Sequence, residues 1–175
     1  LVALLSTACE AEDIYLGVDY LYGQTRVRVD EDGVRYDDRF NAQYVNIELG
    51  YVISPVVSFQ LRYGRDLGDS GGGDNGVALS LGDQSYLGGY SRLDWNMIAA
   101  LDFYVLTGVT YNQGRMVVDG NRATAGAYKA GFSFGVGLEY EISRHWGVEF
   151  EYWLQQTDPA YKVDVIGLGL SYYFR

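Results

Sequence analysis

Nine ionisable side chains fall at alternate positions of segments that otherwise read as apolar: Asp19, Glu48, Arg62, Arg92, Lys129, Glu139, Glu141, Glu149 and Glu151. Charges withdrawn from water must be paired and hydrogen-bonded. A guanidinium fork suits two-point pairing with carboxylates. Arg62 and Arg92 are therefore expected to anchor a charge network with Glu48, Glu139, Glu149 and Glu151. Acids outnumber bases in this set, so water or added protons must make up part of the balance. Structural pairing is preferred here over a gated ion path or a catalytic site. Glu149 and Glu151 resemble an acid/base couple by residue type only.

Other reactive patterns are sparse. The single histidine, His145, lies in Arg144-His145-Trp146. A hydrolase needs a histidine beside a serine or an acid, and His145 reads as an exposed turn residue. One cysteine and one histidine exclude a disulfide scaffold, a cysteine-based zinc site and a multi-histidine metal site. Asp30-Glu31-Asp32-Gly33 with Asp37-Asp38 does not match a regular calcium loop and reads as a solvated segment. Gly71-Gly72-Gly73 has no following Lys-Ser/Thr or helix, so it reads as a flexible loop rather than a phosphate cradle. No enzymatic activity, cofactor or metal is expected. A net charge of -10 argues against nucleic acid as a partner.

The elements that carry these charges alternate with period two. Phe132, Phe134, Val136, Leu138 and Tyr140 oppose Gly131, Ser133, Gly135, Gly137 and Glu139. Ile166, Leu168, Leu170, Tyr172 and Phe174 oppose Val165, Gly167, Gly169, Ser171 and Tyr173. The same alternation runs through 13–28, 42–53 and 146–155, and less cleanly through 56–67, 85–95 and 101–113. That makes eight strands, each long enough to cross a tilted bilayer path. Residues 77–81 extend the fourth strand past a break near Gly82-Asp83. With 23 glycines, 17 tyrosines and only two prolines in 175 residues, the composition also favours strands over disorder. Connections alternate between tight turns at 54–55, 96–100 and 143–145 and longer polar loops at 29–41, 68–84 and 114–126. The last long-end connection, near Asp158-Pro159-Ala160, is shorter.

Alternation alone fits two barrels, one soluble with its apolar face inside and one in a membrane with that face outside. Volume separates them. Phe59, Phe103, Phe132, Phe134, Trp146, Phe150, Tyr152, Tyr172 and Phe174 share the apolar face, and an eight-stranded barrel has little room inside. The opposite face is rich in glycine and serine with a few long charges, which suits a cramped interior. The expected fold is all-β, an eight-stranded antiparallel up-and-down transmembrane β-barrel over 12–175. Two aromatic bands are expected at the bilayer interfaces. Tyr51, Trp95, Phe103, Tyr140, Trp146, Tyr172 and Phe174 form the band near the short turns. Tyr22, Tyr63, Tyr111 and Tyr128 form the band toward the long loops.

Three stretches resemble the small eight-stranded outer-membrane barrel family, the porin-like OmpA/OmpX/opacity class. They are Tyr86 to Arg92 followed by Tyr104 to Tyr111, Gly135 to Tyr140 followed by Trp146 to Tyr152, and the closing Gly167 to Phe174. The resemblance implies a monomer in a Gram-negative-type outer membrane, among lipid and lipopolysaccharide. It also implies a closing aromatic strand, with Tyr172 and Phe174, that the outer-membrane assembly machinery reads, although Arg175 follows Phe174 here. Family members include adhesins, host-interaction proteins, stability proteins and narrow pores. A structural or surface-interaction role with a plugged lumen is expected, and a narrow channel for ions or small solutes is the alternative.

Residues 1–11 read as the remnant of a signal peptide, with cleavage after Ala11. A lipoprotein box ending in Cys9 is the rival reading, weakened by Ser6 three residues before the cysteine.

Overall fold

The computed structural model describes residues 13–31, 34–68, 70–72, 79–118, 129–158 and 161–175. The expected signal-peptide remnant and Cys9 lie outside these residues. The strands are β1 (Asp13–Glu31), β2 (Val34–Ser54), β3 (Val57–Asp66), β4 (Ser70–Gly72), β5 (Leu79–Ile98), β6 (Leu101–Val118), β7 (Lys129–Ser143), β8 (Trp146–Asp158) and β9 (Tyr161–Phe174). Each long strand pairs antiparallel with the next. β1 pairs with β9, Ile14 opposite Phe174, and so closes the ring. The wall is thus a closed eight-stranded antiparallel barrel. The three residues of β4 pair only with the upper end of β5.

The loops at 29–41, 68–84 and 114–126 are corrected in part. β1 runs to Glu31 and β2 begins at Val34, so most of the first expected loop is a strand hairpin. β5 starts at Leu79 and β6 runs to Val118. Asp and Gly content misled because a strand that has left the membrane has water on its outer face and no need of an apolar one. Its backbone register pairs Arg28 with Asp37 and Asp30 with Arg35. The break near Gly82-Asp83 is a register shift between Gly82 and Ser85. Gly71 and Gly72 belong to β4, and Gly73 lies outside the described residues.

Faces follow the alternation. Phe132 is 74% exposed and Leu168 60%, while Arg62 and Glu48 on the opposite face are 0%. An apolar exterior around a polar interior is stable only where lipid replaces water. Phe134 lies outward midway between the two aromatic bands. Phe134→Arg is therefore expected to cost about 2–4 kcal/mol in refolding into lipid vesicles. A cost near zero would mean that this face does not meet hydrocarbon.

At the short-turn end the outward rings touch. Trp95 and Phe103 lie 6.0 Å apart, Trp146 and Tyr172 4.9 Å, and Tyr172 and Phe174 5.0 Å between centroids. Tyr22, Tyr63 and Tyr111 are exposed toward the other end. Tyr128 lies outside the described residues.

The interior differs from the glycine- and serine-rich space expected. It also holds Tyr15, Tyr44, Tyr86, Tyr90, Tyr104, Trp153 and Tyr173, all buried. Glycine on the neighbouring strand makes the room. Tyr15 faces Gly50, Tyr86 faces Gly64 and Tyr104 faces Gly137 across the ladder. A Cβ at any of these glycines would overlap the ring. The volume argument chose the right outer face, but it underrated what glycine lets an eight-stranded barrel enclose.

Candidate functional site

The charged lumen is built by strand parity. Glu48 on β2 stands opposite Arg62 on β3. Arg92 comes from β5, Glu139 from β7, and Glu149 and Glu151 from β8. All six point inward and are buried.

Arg62 reaches across the barrel. Its Nη1 donates to both carboxylate oxygens of Glu151 at 2.8 and 2.9 Å. Its Nη2 stands 3.1 Å from Glu48 Oε2. Its Nε donates to Gln60 Oε1 at 3.0 Å, and the Gln60 amide donates to the Tyr15 hydroxyl. The guanidinium also lies 5.6 and 5.3 Å from the ring centres of Tyr90 and Trp153, within cation–π range.

Arg92 holds a second group. Its Nη2 pairs with Glu139, its Nη1 lies 3.4 Å from Glu149 Oε2, and its Nε donates to Asp94 Oδ1 at 2.7 Å. It sits 3.9 Å over the Tyr104 ring. Ser171 donates to Glu149, and Tyr173 donates to Glu139 Oε1 at 2.6 Å. The Tyr104 hydroxyl lies 3.1 Å from Glu149 and 3.2 Å from Glu151, and so joins the two groups. Tyr104→Phe keeps the ring but removes this link between two carboxylates. Its expected cost is about 1.5–3 kcal/mol, read from the denaturant midpoint of the refolded barrel.

The remaining charges on the same parity go different ways. Asp19 is buried and accepts from Asn46 Nδ2 at 2.5 Å. Glu141 was expected inside but sits at the short-turn rim, half-exposed, 3.6 Å from Arg175. The side chain of Lys129 lies outside the described residues, as do those of the acidic segment 30–38. Asp94 joins the network without having been anticipated, although it stands two residues from Arg92 on the same parity. Parity had set Tyr173, Gln60, Asn46 and Ser171 on the inward face, but they and Tyr104 were not counted in the network, because uncharged side chains give no signal of their own.

His145 is not the free turn residue expected. Its Nδ1 lies 3.0 Å from the Tyr173 carbonyl, its ring stacks on Tyr172 at 5.8 Å, and its carbonyl accepts from the Tyr173 N–H at 2.9 Å. The β7–β8 turn is thereby pinned to the last strand. Among the described residues no group of three or more His, Cys, Asp or Glu side chains is arranged to hold a metal ion.

A ring of strands with a lipid-facing exterior and a charged, aromatic interior defines an outer-membrane type of barrel. Residues 1–174 match the model of the outer membrane protein beta-barrel domain, and the chain belongs to that family. No curated protein matches it. Among solved structures, it is similar to Neisserial surface protein A at TM-score 0.63 and 14% identity, over 92% of this chain and 97% of that one. It is similar to Ail, the attachment invasion locus protein of Yersinia pestis, at TM-score 0.58 and 15% identity, over 94% and 100%. That Ail structure contains the heparin analogue sucrose octasulfate. The N-terminal β-barrel domain of Pseudomonas aeruginosa OprF is also similar, at TM-score 0.54 and 14% identity, over 90% and 97%. At these identities the likeness is one of fold.

Proposed function

We propose that this chain is a monomeric outer-membrane barrel whose role is structural or surface-interacting, exerted through its long-hairpin end, with the lumen as a sealed core. The observation that carries the reading is the filling of the interior. Arg62, Glu48, Tyr104 and Trp153 are all fully buried and engage partners from opposite walls. A wet pathway would leave such side chains accessible.

Its surroundings would be outer-membrane lipid and lipopolysaccharide, in a Gram-negative-type envelope. Tyr172 and Phe174, outward at the end of β9, would serve the assembly machinery as its recognition strand. The attachment role in Ail's name supports a surface role by analogy of fold. A sulfated ligand of the kind bound to Ail is a poor match for a chain of net charge -10. A basic or neutral surface partner suits it better. The second reading is a narrow cation path, favoured by the excess of buried acid over base.

Single-channel recording of the refolded chain in a planar bilayer separates the two. Insertion without conductance is the expected result. Steady openings that change on replacing Arg92 or Glu149 would make the channel the leading reading.

A further inference from the structure

The lumen leaves one group of oxygens short of donors. The buried carboxylates among the described residues are Asp19, Glu48, Glu139, Glu149 and Glu151, and the buried cations are Arg62 and Arg92. Five against two leaves an excess of three negative charges. Arg92 is engaged by Asp94, Glu139 and Glu149, and Arg62 by Gln60, Glu151 and the charge of Glu48. Tyr104 is shared between Glu149 and Glu151.

On the β1–β2 wall the balance is different. Asn46 and Glu48 are alternate inward residues of β2 and are both 0% exposed. Asn46 Oδ1 and both carboxylate oxygens of Glu48 accept no hydrogen bond. The one amide donor here, Asn46 Nδ2, is spent on Asp19. Asp19 faces Asn46 across the ladder, and Gly17, the next inward residue of β1, faces Glu48. A Cβ at Gly17 would stand 2.5 Å from Glu48 Oε1, so glycine is what lets the carboxylate lie there. The result is a buried set of acceptor oxygens, adjacent along two paired strands, with surplus negative charge: Arg62 Nη2 stands 3.1 Å from Glu48 Oε2, and Glu48 Oε1 and Asn46 Oδ1 are left without a donor. Buried polar groups and charges are stable only when paired, and what pairs with such a set is a cation.

We propose that Asp19, Asn46 and Glu48 form a binding site for a small monovalent alkali cation inside the lumen. An alkali ion would take these oxygens as ligands. A divalent ion fits less well, because among the described residues no group of three or more His, Cys, Asp or Glu side chains is arranged to hold one. The site stands apart from the surface role and from the question of conductance.

The test is the thermal unfolding midpoint of the refolded wild-type barrel in sodium, potassium and choline chloride at equal ionic strength, repeated from about pH 8 to about pH 6. An alkali-ion site raises the midpoint by about 5 °C or more in sodium or potassium over choline. Equal midpoints in the three salts with a rise as the pH falls would mean that the carboxylates take up protons instead, and would overturn the proposal. The groups facing the site from the other strands are Arg62, Arg92, Tyr104, Glu139, Glu149 and Glu151. Glu48→Gln and Asp19→Asn, tested separately, distinguish the site from these neighbours, since each should flatten the dependence. A wild-type midpoint indifferent to the cation overturns the proposal, as does a cation dependence that survives in either variant. Broadening of the sodium-23 resonance by the wild-type barrel, reversed by potassium, would identify the bound ion without any variant.

Discussion

Barrels carrying Arg62→Ala are expected to lose about 3–5 kcal/mol of stability, the range for removing one partner of a buried ion pair. The truncation leaves Glu48 and Glu151 without their cation, and neither can turn to water, because Glu48 is fully buried and Glu151 nearly so. It also frees Gln60 and opens a gap between Tyr90 and Trp153. Urea titration of the refolded barrel, followed by tryptophan emission, measures the loss. Arg62→Lys restores a charge but not the fork, so it should fall between parent and alanine variant. A loss below about 1 kcal/mol for the alanine variant would place Arg62 outside any network that matters for stability.

Gly137→Ala is expected to destabilise by about 1–3 kcal/mol, the cost of overpacking a filled core. One methyl group is small, but the added carbon would enter the space held by the Tyr104 ring. That ring has nowhere to move. Arg92 lies 3.9 Å over it, and its hydroxyl is held between Glu149 and Glu151. Shifting it to admit a methyl group disturbs both ion-pair groups at once. The distinguishing measurement is a double-mutant cycle with Tyr104→Ala. Once the ring is gone the methyl group has room, so the double variant should lose less than the sum of the two single losses. Strict additivity would mean that Gly137 is needed for some reason other than Tyr104.

The charges that meet in the lumen were legible because a strand has only two faces. Once Phe132, Phe134 and Leu138 are set outward, Glu139 has to point in, and the same holds for Glu149 and Glu151 on either side of Phe150. Residue type then names the partners, since Arg62 and Arg92 are the buried cations available. What stayed hidden depends on register between strands. Nothing along β6 alone says that Tyr104 faces a glycine, because Gly137 lies on another strand and is brought opposite only by the ladder. Tyr86 and Tyr104 were therefore not given their interior places, although parity set Tyr15 and Tyr173 opposite the apolar face. Glu141 was misplaced for a related reason. Parity says which way a side chain points but not how near the end of the barrel it stands, and at the rim an inward carboxylate meets Arg175 instead of the network.

The pairing of β1 with β9 also carries a consequence in time. Every other seam joins strands that follow closely in the chain, so hairpins can form as soon as their second strand exists. The seam from Ile14 opposite Phe174 to Val27 opposite Tyr161 has to wait for the whole chain. Until then two unpaired edges, each more than a dozen residues long, remain open templates for other strands. Contacts so distant in sequence form slowly. The period of greatest risk for this protein is therefore the interval between the completion of β9 and its meeting with β1, and a helper that shelters those edges during that interval would protect the protein more than any added contact in the finished wall.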